Sequence, residues 1–332
     1  MSSPLALRVV DPDLEARLVA RLAQVEEDLL EHCSSEAPFV TEAARHLLTA
    51  GGKRFRPVLV LLTAEAGDDA GSEDVLTAAS VVELTHLASL YHDDVMDEAD
   101  LRRGADSANA RWDNHVAILT GDWLFSKSSE LTARLGADAV RIQAETFGRL
   151  VEGQILETLG PVGEQDPLEH YLRVVAGKTG SLIATSALYG ARFGGADREV
   201  EQALTAYGEK VGVAFQLSDD ILDVASETEE SGKTPGTDLR EGVPTLPVLF
   251  AQRSTDPADA RLLELLAGDL SDDELHAEAL GLLRAHPAMQ AARDYVIDLA
   301  EQAKAHLAVL PADSPVRAAL DSFADIVATR TA

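Results

Sequence analysis

Two stretches of this chain place aspartates at one spacing inside apolar, helix-patterned surroundings: Asp93, Asp94 and Asp97 in LYHDDVMDEADLRRG, and Asp219, Asp220 and Asp223 in FQLSDDILDV. Residues three and four apart share a helix face, so each triad crowds like charges into one small region. Such crowding costs stability unless a cation or basic partner neutralises it. The flanking Leu84, Leu87, Ala88, Leu90 and Tyr91 are too apolar for a solvated face. A hard, oxygen-seeking ion such as Mg²⁺ is the natural partner, and two matching triads predict a pair of facing helices. One triad alone reads as well as a charged surface turn; its repetition in like surroundings argues otherwise.

The rest of the chain supports a large helical protein. Hydrophobic residues make up 46% of it and aromatic ones only 5%, a balance that suits close packing of helices rich in Ala and Leu, and few segments carry strand patterning. A formal charge of −29 excludes nucleic acid and anionic membrane as partners, because most of the surface would repel them. Lysine is scarce, so local basic clusters stand out as anion sites: Lys53, Lys178 and Lys233 all fall in motifs described below. Cys33 has no second cysteine to pair with, the N-terminus lacks a secretory pattern, and no stretch offers the ~20 apolar residues of a membrane span. These features predict a soluble cytoplasmic protein with no transmembrane segment.

In chain order, Leu14, Leu18, Leu22, Val25, Leu29 and Leu30 recur at helical spacing, forming an amphipathic opening helix suited to packing on the body or on a partner subunit. Thr41 is placed to cap a second helix that Gly51-Gly52 ends. GGKRFRP then sets Lys53, Arg54 and Arg56 at a glycine-hinged turn, where cations and free backbone amides suit a diphosphate. Ser72 opens a long helix, apolar on nearly every side from Val75 to Tyr91, with His86 about two turns before Asp93 on the same face. Arg102 and Arg103 follow the first triad, either as simple salt-bridge partners or as the second jaw on a metal-held diphosphate.

Helices are predicted from Asn114 to Leu135 and from Ala137 to Gly160, the latter bearing Gly153, Gln154 and Glu157 on a face that lines a cavity or meets solvent. GKTGSL holds Lys178 and Thr179 without the spacing of a nucleotide phosphate loop, and Gln216 stands a turn before the second triad. The Gly-, Ser-, Thr- and Pro-rich stretch from Ala225 to Thr245 carries Lys233 and reads as a loop able to close beside a metal site, or as a plain connection. Beyond Leu246 the pattern is helical, with Ser271 and Glu274 as a capping box.

Six carboxylates exceed what general acid/base chemistry needs, and they suit divalent ions gathered around a strongly anionic ligand. A diphosphate is such a ligand, and ions that stabilise it make it a leaving group. GGKRFRP, DDVMD with its trailing RRG, GKTG, QLSDDILD and GKTPGTDLREG together resemble the trans-isoprenyl diphosphate synthases, the long-chain polyprenyl synthetases in particular. The resemblance implies an all-α, single-domain bundle of about 10–13 helices around a central cavity. Residues 41–247 would carry the motifs and 248–332 the remaining helices. It also implies a homodimer that condenses isopentenyl diphosphate head-to-tail with an allylic diphosphate.

Carried over residue by residue, the resemblance gives Lys53, Arg56, His86 and Arg103 to isopentenyl diphosphate, and Arg102, Lys178 and Lys233 to the allylic diphosphate, with Thr179 and Gln216 near the developing cation. Asp93, Asp97 and Asp219 would ligate about three Mg²⁺ ions per site, with Asp94, Asp220 and Asp223 in support. Residues a turn before Asp93 form the floor under the growing tail. Here they are Ala88 and Ser89, with Thr85 a turn deeper, all small or modest where short-chain members carry bulky aromatics. A long-chain product for a quinone side chain is therefore favoured over geranylgeranyl diphosphate. A terpene cyclase would have no use for GGKRFRP, and a non-catalytic subunit of a heteromeric synthase usually loses one triad.

Overall fold

The apolar spacing becomes helix almost throughout the computed structural model, which describes Leu5, residues 9–226 and residues 235–329. Helices α1 (Pro12–His32), α2 (Pro38–Thr49), α3 (Phe55–Ala64) and α4 (Glu73–Met96) lead to a two-residue hairpin, β1 (Leu101–Arg102) and β2 (Ala105–Asp106). Then come α5 (Ala108–Arg111), α6 (Asn114–Arg134), α7 (Ala137–Leu159), α8 (Pro167–Val175), α9 (Ser181–Phe193) and α10 (Arg198–Ala225). The last are α11 (Thr237–Arg240), α12 (Leu246–Ala251), α13 (Ala260–Leu266), α14 (Asp273–Ala285), α15 (Pro287–Ala305) and α16 (Pro315–Thr329). The all-α reading holds, with the hairpin as the only sheet among the described residues.

The chain divides into two compact units. One comprises Met1–Gly148, Leu182–Gly208 and His306–Ser322; the other comprises Arg149–Ser181, Glu209–Ala305 and Phe323–Ala332. In the first, α4 is the axis: it is buried from Val75 to Tyr91 on nearly every face and packs against α6, α3 and α1. Ser72 caps it by accepting from the Asp74 amide. In the second, α15 packs on α12 and α14, and Ser218 of α10 donates to the Val327 carbonyl at 2.8 Å.

Two caps differ from expectation. Helix α2 begins at Pro38, three residues before Thr41, because proline is favoured in a first turn; the Thr41 hydroxyl instead closes a local loop on Ser35. Helix α14 is capped by Asp272, whose carboxylate accepts from the Glu274 and Leu275 amides, while Ser271 is held by Asp269. An ionised carboxylate at a helix N-terminus also gains from the macrodipole, which a serine does not.

Arg54 ties the first unit together. Only 7% exposed, it pairs with Glu26 of α1 at 2.6 Å and with buried Glu83 of α4 at 3.2 Å, and it donates to the Leu48 carbonyl at the end of α2. Removing it strands a buried carboxylate, so Arg54→Met is expected to cost about 3–5 kcal/mol in denaturant unfolding. Adding Glu83→Gln should recover part of that loss; a double variant no more stable than the single one would count against the pairing.

Candidate active site

The first triad closes α4, and its members differ in burial. Adjacent residues lie about 100° apart on a helix, so Asp94 turns inward and is fully buried while Asp93 is half-buried; Asp97 is the exposed C-cap, its amide bonded to the Asp93 carbonyl. Asp94 accepts from the Arg102 Nε at 2.6 Å through one oxygen, while its Oδ2, buried, has no hydrogen-bond partner among the described residues. Burial raises its pKa against the pull of Arg102.

Arg102 and Arg103 are aimed in different directions by the hairpin that sequence patterning did not foresee. Arg103 and Gly104 both adopt positive φ (56° and 76°), as a tight two-residue turn demands. Arg102 therefore returns to Asp94, and Arg103 reaches back to the Leu47 and Gly51 carbonyls at the end of α2. Within KRFR the roles also divide: Arg54 is the structural anchor, Lys53 is exposed, and Arg56 is half-buried with an Nε that meets no acceptor among the described residues.

Burial and the neighbouring Arg103 lower the Arg56 pKa to about 10. Burial, then the charges of Arg56, Arg103, Arg102 and Arg54, hold His86 well below the ordinary imidazole value. Of the four, Arg54 and Arg102 are paired with carboxylates, while the Arg56 Nε meets no acceptor among the described residues, so Arg56 and Arg103 beside a neutral histidine are the groups suited to an anion. Behind it, Ala88 is fully buried and Ser89 nearly so. Thr85 is not an open position: its hydroxyl is bonded to Ser128 of α6 at 2.8 Å and accepts from Gln143 of α7 at 2.7 Å.

The second unit holds the remaining predicted residues. Lys178 and Thr179 lie in a π-helical turn, Ala176–Gly180, between α8 and α9. Such turns add a residue to a helix and often mark functional positions. Gly153 makes room for it, since a Cβ there would stand 2.6 Å from the Lys178 amide nitrogen. Two of the polar positions of α7 are thereby explained: Gly153 admits the turn, and Glu157 pairs with the Lys178 Nζ at 2.6 Å, while the buried Gln154 Oε1 has no hydrogen-bond partner among the described residues. This pair is partly exposed and worth little, so an incoming anion can displace the carboxylate.

Along α10, the Thr179 hydroxyl donates to Gln216 Oε1 at 2.9 Å, the Gln216 amide donates to Asp220 Oδ1 at 2.9 Å, and the Tyr171 hydroxyl donates to Asp220 Oδ2. Burial pushes the Asp220 pKa up to about 7, opposed by the Tyr171 and Gln216 hydrogen bonds and reinforced by the charges of Asp238 and Asp219. Asp219 is half-buried. Asp223 accepts from the Thr237 and Asp238 amides at 3.3 and 3.1 Å and so anchors the start of α11. Lys233 lies outside the described residues. Tyr171 was missed by sequence reading; its spacing from Lys178, two helical turns, was the only available signal.

These donors fit Mg²⁺. They are hard carboxylate oxygens, one buried oxygen of Asp94 lacks a partner among the described residues, and Asp220 sits in surroundings that disfavour its charge unless a cation restores it. Among the described residues no three His, Cys, Asp or Glu side chains form a cage for an ion. Mg²⁺ does not require one, since it usually takes one or two carboxylates, with waters and substrate phosphates completing its shell.

Comparison with known proteins agrees with this chemistry. The polyprenyl synthetase family profile matches residues 37–283. The chain is 48% identical over 320 residues to the nonaprenyl diphosphate synthase of Mycobacterium tuberculosis, covering 96% of this chain and 95% of that protein. It superposes on a geranylgeranyl pyrophosphate synthase of Corynebacterium glutamicum, solved with calcium and isoprenyl diphosphate, with TM-score 0.88, 49% identity and coverage of 98% and 99%. A decaprenyl diphosphate synthase of Rhodobacter capsulatus gives TM-score 0.86 and 36% identity, with coverage of 96% and 99%.

Proposed function

Because this chain belongs to the polyprenyl synthetase family and is a prenyltransferase, we propose that it makes a long-chain all-trans-polyprenyl diphosphate, joining isopentenyl diphosphate head-to-tail to an allylic diphosphate. The observation that carries the long-chain reading is the small, buried pair Ala88 and Ser89 a turn before the first triad. Near-complete alignment with a nonaprenyl synthase supports it. Likeness to a geranylgeranyl synthase keeps that shorter product as the second reading. Incubation with farnesyl diphosphate and isopentenyl diphosphate, followed by chromatography of the dephosphorylated product, decides between them. No turnover by the purified chain alone would favour the role of a partner subunit.

In this reading Lys53, Arg56, His86 and Arg103 bind isopentenyl diphosphate, and Arg102, Lys178 and Lys233 bind the allylic diphosphate. Asp93, Asp97 and Asp219 would hold Mg²⁺, which when bound stabilises negative charge on the departing diphosphate; Asp94, Asp220 and Asp223 keep the ligand carboxylates in place. Thr179 and Gln216 offer oxygen dipoles to the allylic cation. The isopentenyl double bond attacks that cation, and loss of a proton to the released diphosphate ends the cycle. The family match covers segments of both units, which supports reading the chain as one synthase domain.

Exposed apolar side chains on α6 (Ile118, Leu119) and at the start of α7 (Val140) support a homodimer formed through those helices. No described helix is long and apolar enough to cross a membrane, and we place the enzyme in the cytoplasm on its acidic surface and single cysteine.

The four arginines around His86 give this reading a pH signature. Burial keeps the His86 pKa low, and the arginines lower it further; a diphosphate bound among them offsets the second effect, so the His86 pKa rises on binding and binding takes up protons. By linkage, a ligand that raises a pKa binds more tightly as pH falls through the raised value. Calorimetry of isopentenyl diphosphate binding in buffers of different ionisation enthalpy should show uptake that His86→Gln abolishes. Equal uptake by both proteins would refute this assignment of the proton.

A further inference from the structure

We infer that Tyr171 is a positioning residue for the prenyl transfer: through Asp220 it fixes which way the Gln216 amide faces, and so sets the polarity of the Thr179 hydroxyl. The inference rests on the reading that Thr179 and Gln216 lie beside the developing cation, and it adds a group from α8 that touches neither substrate.

The hydrogen-bond order carries it. Asp220 accepts from two donors at once, one at each carboxylate oxygen. Tyr171, buried on α8, donates to Asp220 Oδ2 and so holds the carboxylate plane with Oδ1 turned toward Gln216. Gln216 turns its NH₂ to that oxygen, at 2.9 Å, and its carbonyl toward Thr179. Thr179 has a single hydroxyl proton, and it is directed to that carbonyl at 2.9 Å. What the threonine presents elsewhere is therefore oxygen lone pairs, the polarity an electron-poor carbon requires.

Remove the tyrosine hydroxyl and Oδ2 becomes a buried acceptor without its donor, which is costly enough to turn the carboxylate toward another group. Gln216 then loses its fixed orientation, and the threonine proton is free to point at the cation instead of away from it. The same four groups, in order Tyr171, Asp220, Gln216 and Thr179, lie within one compact unit of the chain. Tyr171 is also held in place by its own helix, which runs directly into the π-helical turn bearing Thr179. The relay is thus rigid at both ends.

The test is a double-mutant cycle on the full-length protein with Mg²⁺, farnesyl diphosphate and isopentenyl diphosphate. Tyr171→Phe and Thr179→Val should each lower kcat by about 10- to 100-fold, the loss typical of a displaced group near the reacting atoms. The double variant should be within about 3-fold of the worse single one, because both changes break one relay. KM for isopentenyl diphosphate, and calorimetric affinity for farnesyl thiodiphosphate, should move less than about 3-fold. Multiplying effects, or a lowered melting temperature with normal kcat, would overturn the inference and leave Tyr171 a structural residue. If Thr179→Val alone leaves kcat unchanged, the placement of Thr179 at the cation fails, and this inference with it. Should Tyr171→Phe not fold, Gln216→Met serves instead. It removes the amide that links Asp220 to Thr179, so it should reproduce the loss without adding to Thr179→Val; additivity there is equally fatal.

Discussion

Asp93→Ala and Asp219→Ala are each expected to lower kcat/KM by about 10³-fold or more while the protein stays folded, because each removes a carboxylate proposed to ligate Mg²⁺ on the leaving group. Both positions are half-buried and stand next to a buried acid, Asp94 or Asp220, so deleting one charge relieves repulsion as well as losing contacts. Asp94→Ala should behave differently. It strands Arg102, and it is expected to cost about 1–3 kcal/mol of stability along with activity. Initial rates across a Mg²⁺ titration, set beside thermal melts of the metal-free proteins, separate the two classes. If Asp93→Ala or Asp219→Ala turns over at near wild-type rates, or if chelation with EDTA leaves turnover intact, the metal-assisted scheme is wrong.

What could be read from sequence was set by period and by charge. Helix existence followed from apolar spacing; α4 begins one residue after the predicted Ser72, and α6 lies within a residue of the helix predicted from Asn114 to Leu135. Roles within a motif were less legible, because they depend on which way a backbone turns. KRFR reads as three cations at one turn that need not share a face, and a left-handed Arg54 (φ 48°) buries one of them as a salt-bridge anchor. RRG reads as paired guanidiniums, yet a two-residue turn sends one to Asp94 and the other to α2. The π-helical turn at Lys178 left no periodic trace, since its extra residue is accommodated by Gly153, a partner distant in sequence. Tyr171 escaped for the same reason: its hydrogen-bond partner, Asp220, lies far along the chain.

Chain length offers the other large effect. Ala88→Phe, and independently Ser89→Phe, should shift the product from long-chain polyprenyl diphosphates toward farnesyl and geranylgeranyl diphosphates. On a helix rising about 1.5 Å per residue, these positions stand roughly 6–8 Å below Asp93, in the path proposed for a tail that starts at the first triad. The two substitutions carry unequal structural risk. A Cβ on Gly121 of α6 would come within 3.1 Å of the Ala88 carbonyl oxygen, so α6 is seated directly against the helix there. A phenyl ring at Ala88 therefore risks overpacking by about 1–3 kcal/mol. Ser89 is 9% exposed and, among the described residues, its hydroxyl bonds to its own helix at the His86 carbonyl, so a ring there disturbs less. Thr85, tied to Ser128 and Gln143, then marks a polar layer that a long tail must pass in the wild type. Chromatography of dephosphorylated products from variants shown to be folded provides the readout. A Ser89→Phe enzyme that still makes the parent chain length would mean that the tail does not run down α4, and the long-chain reading would lose the feature that carries it.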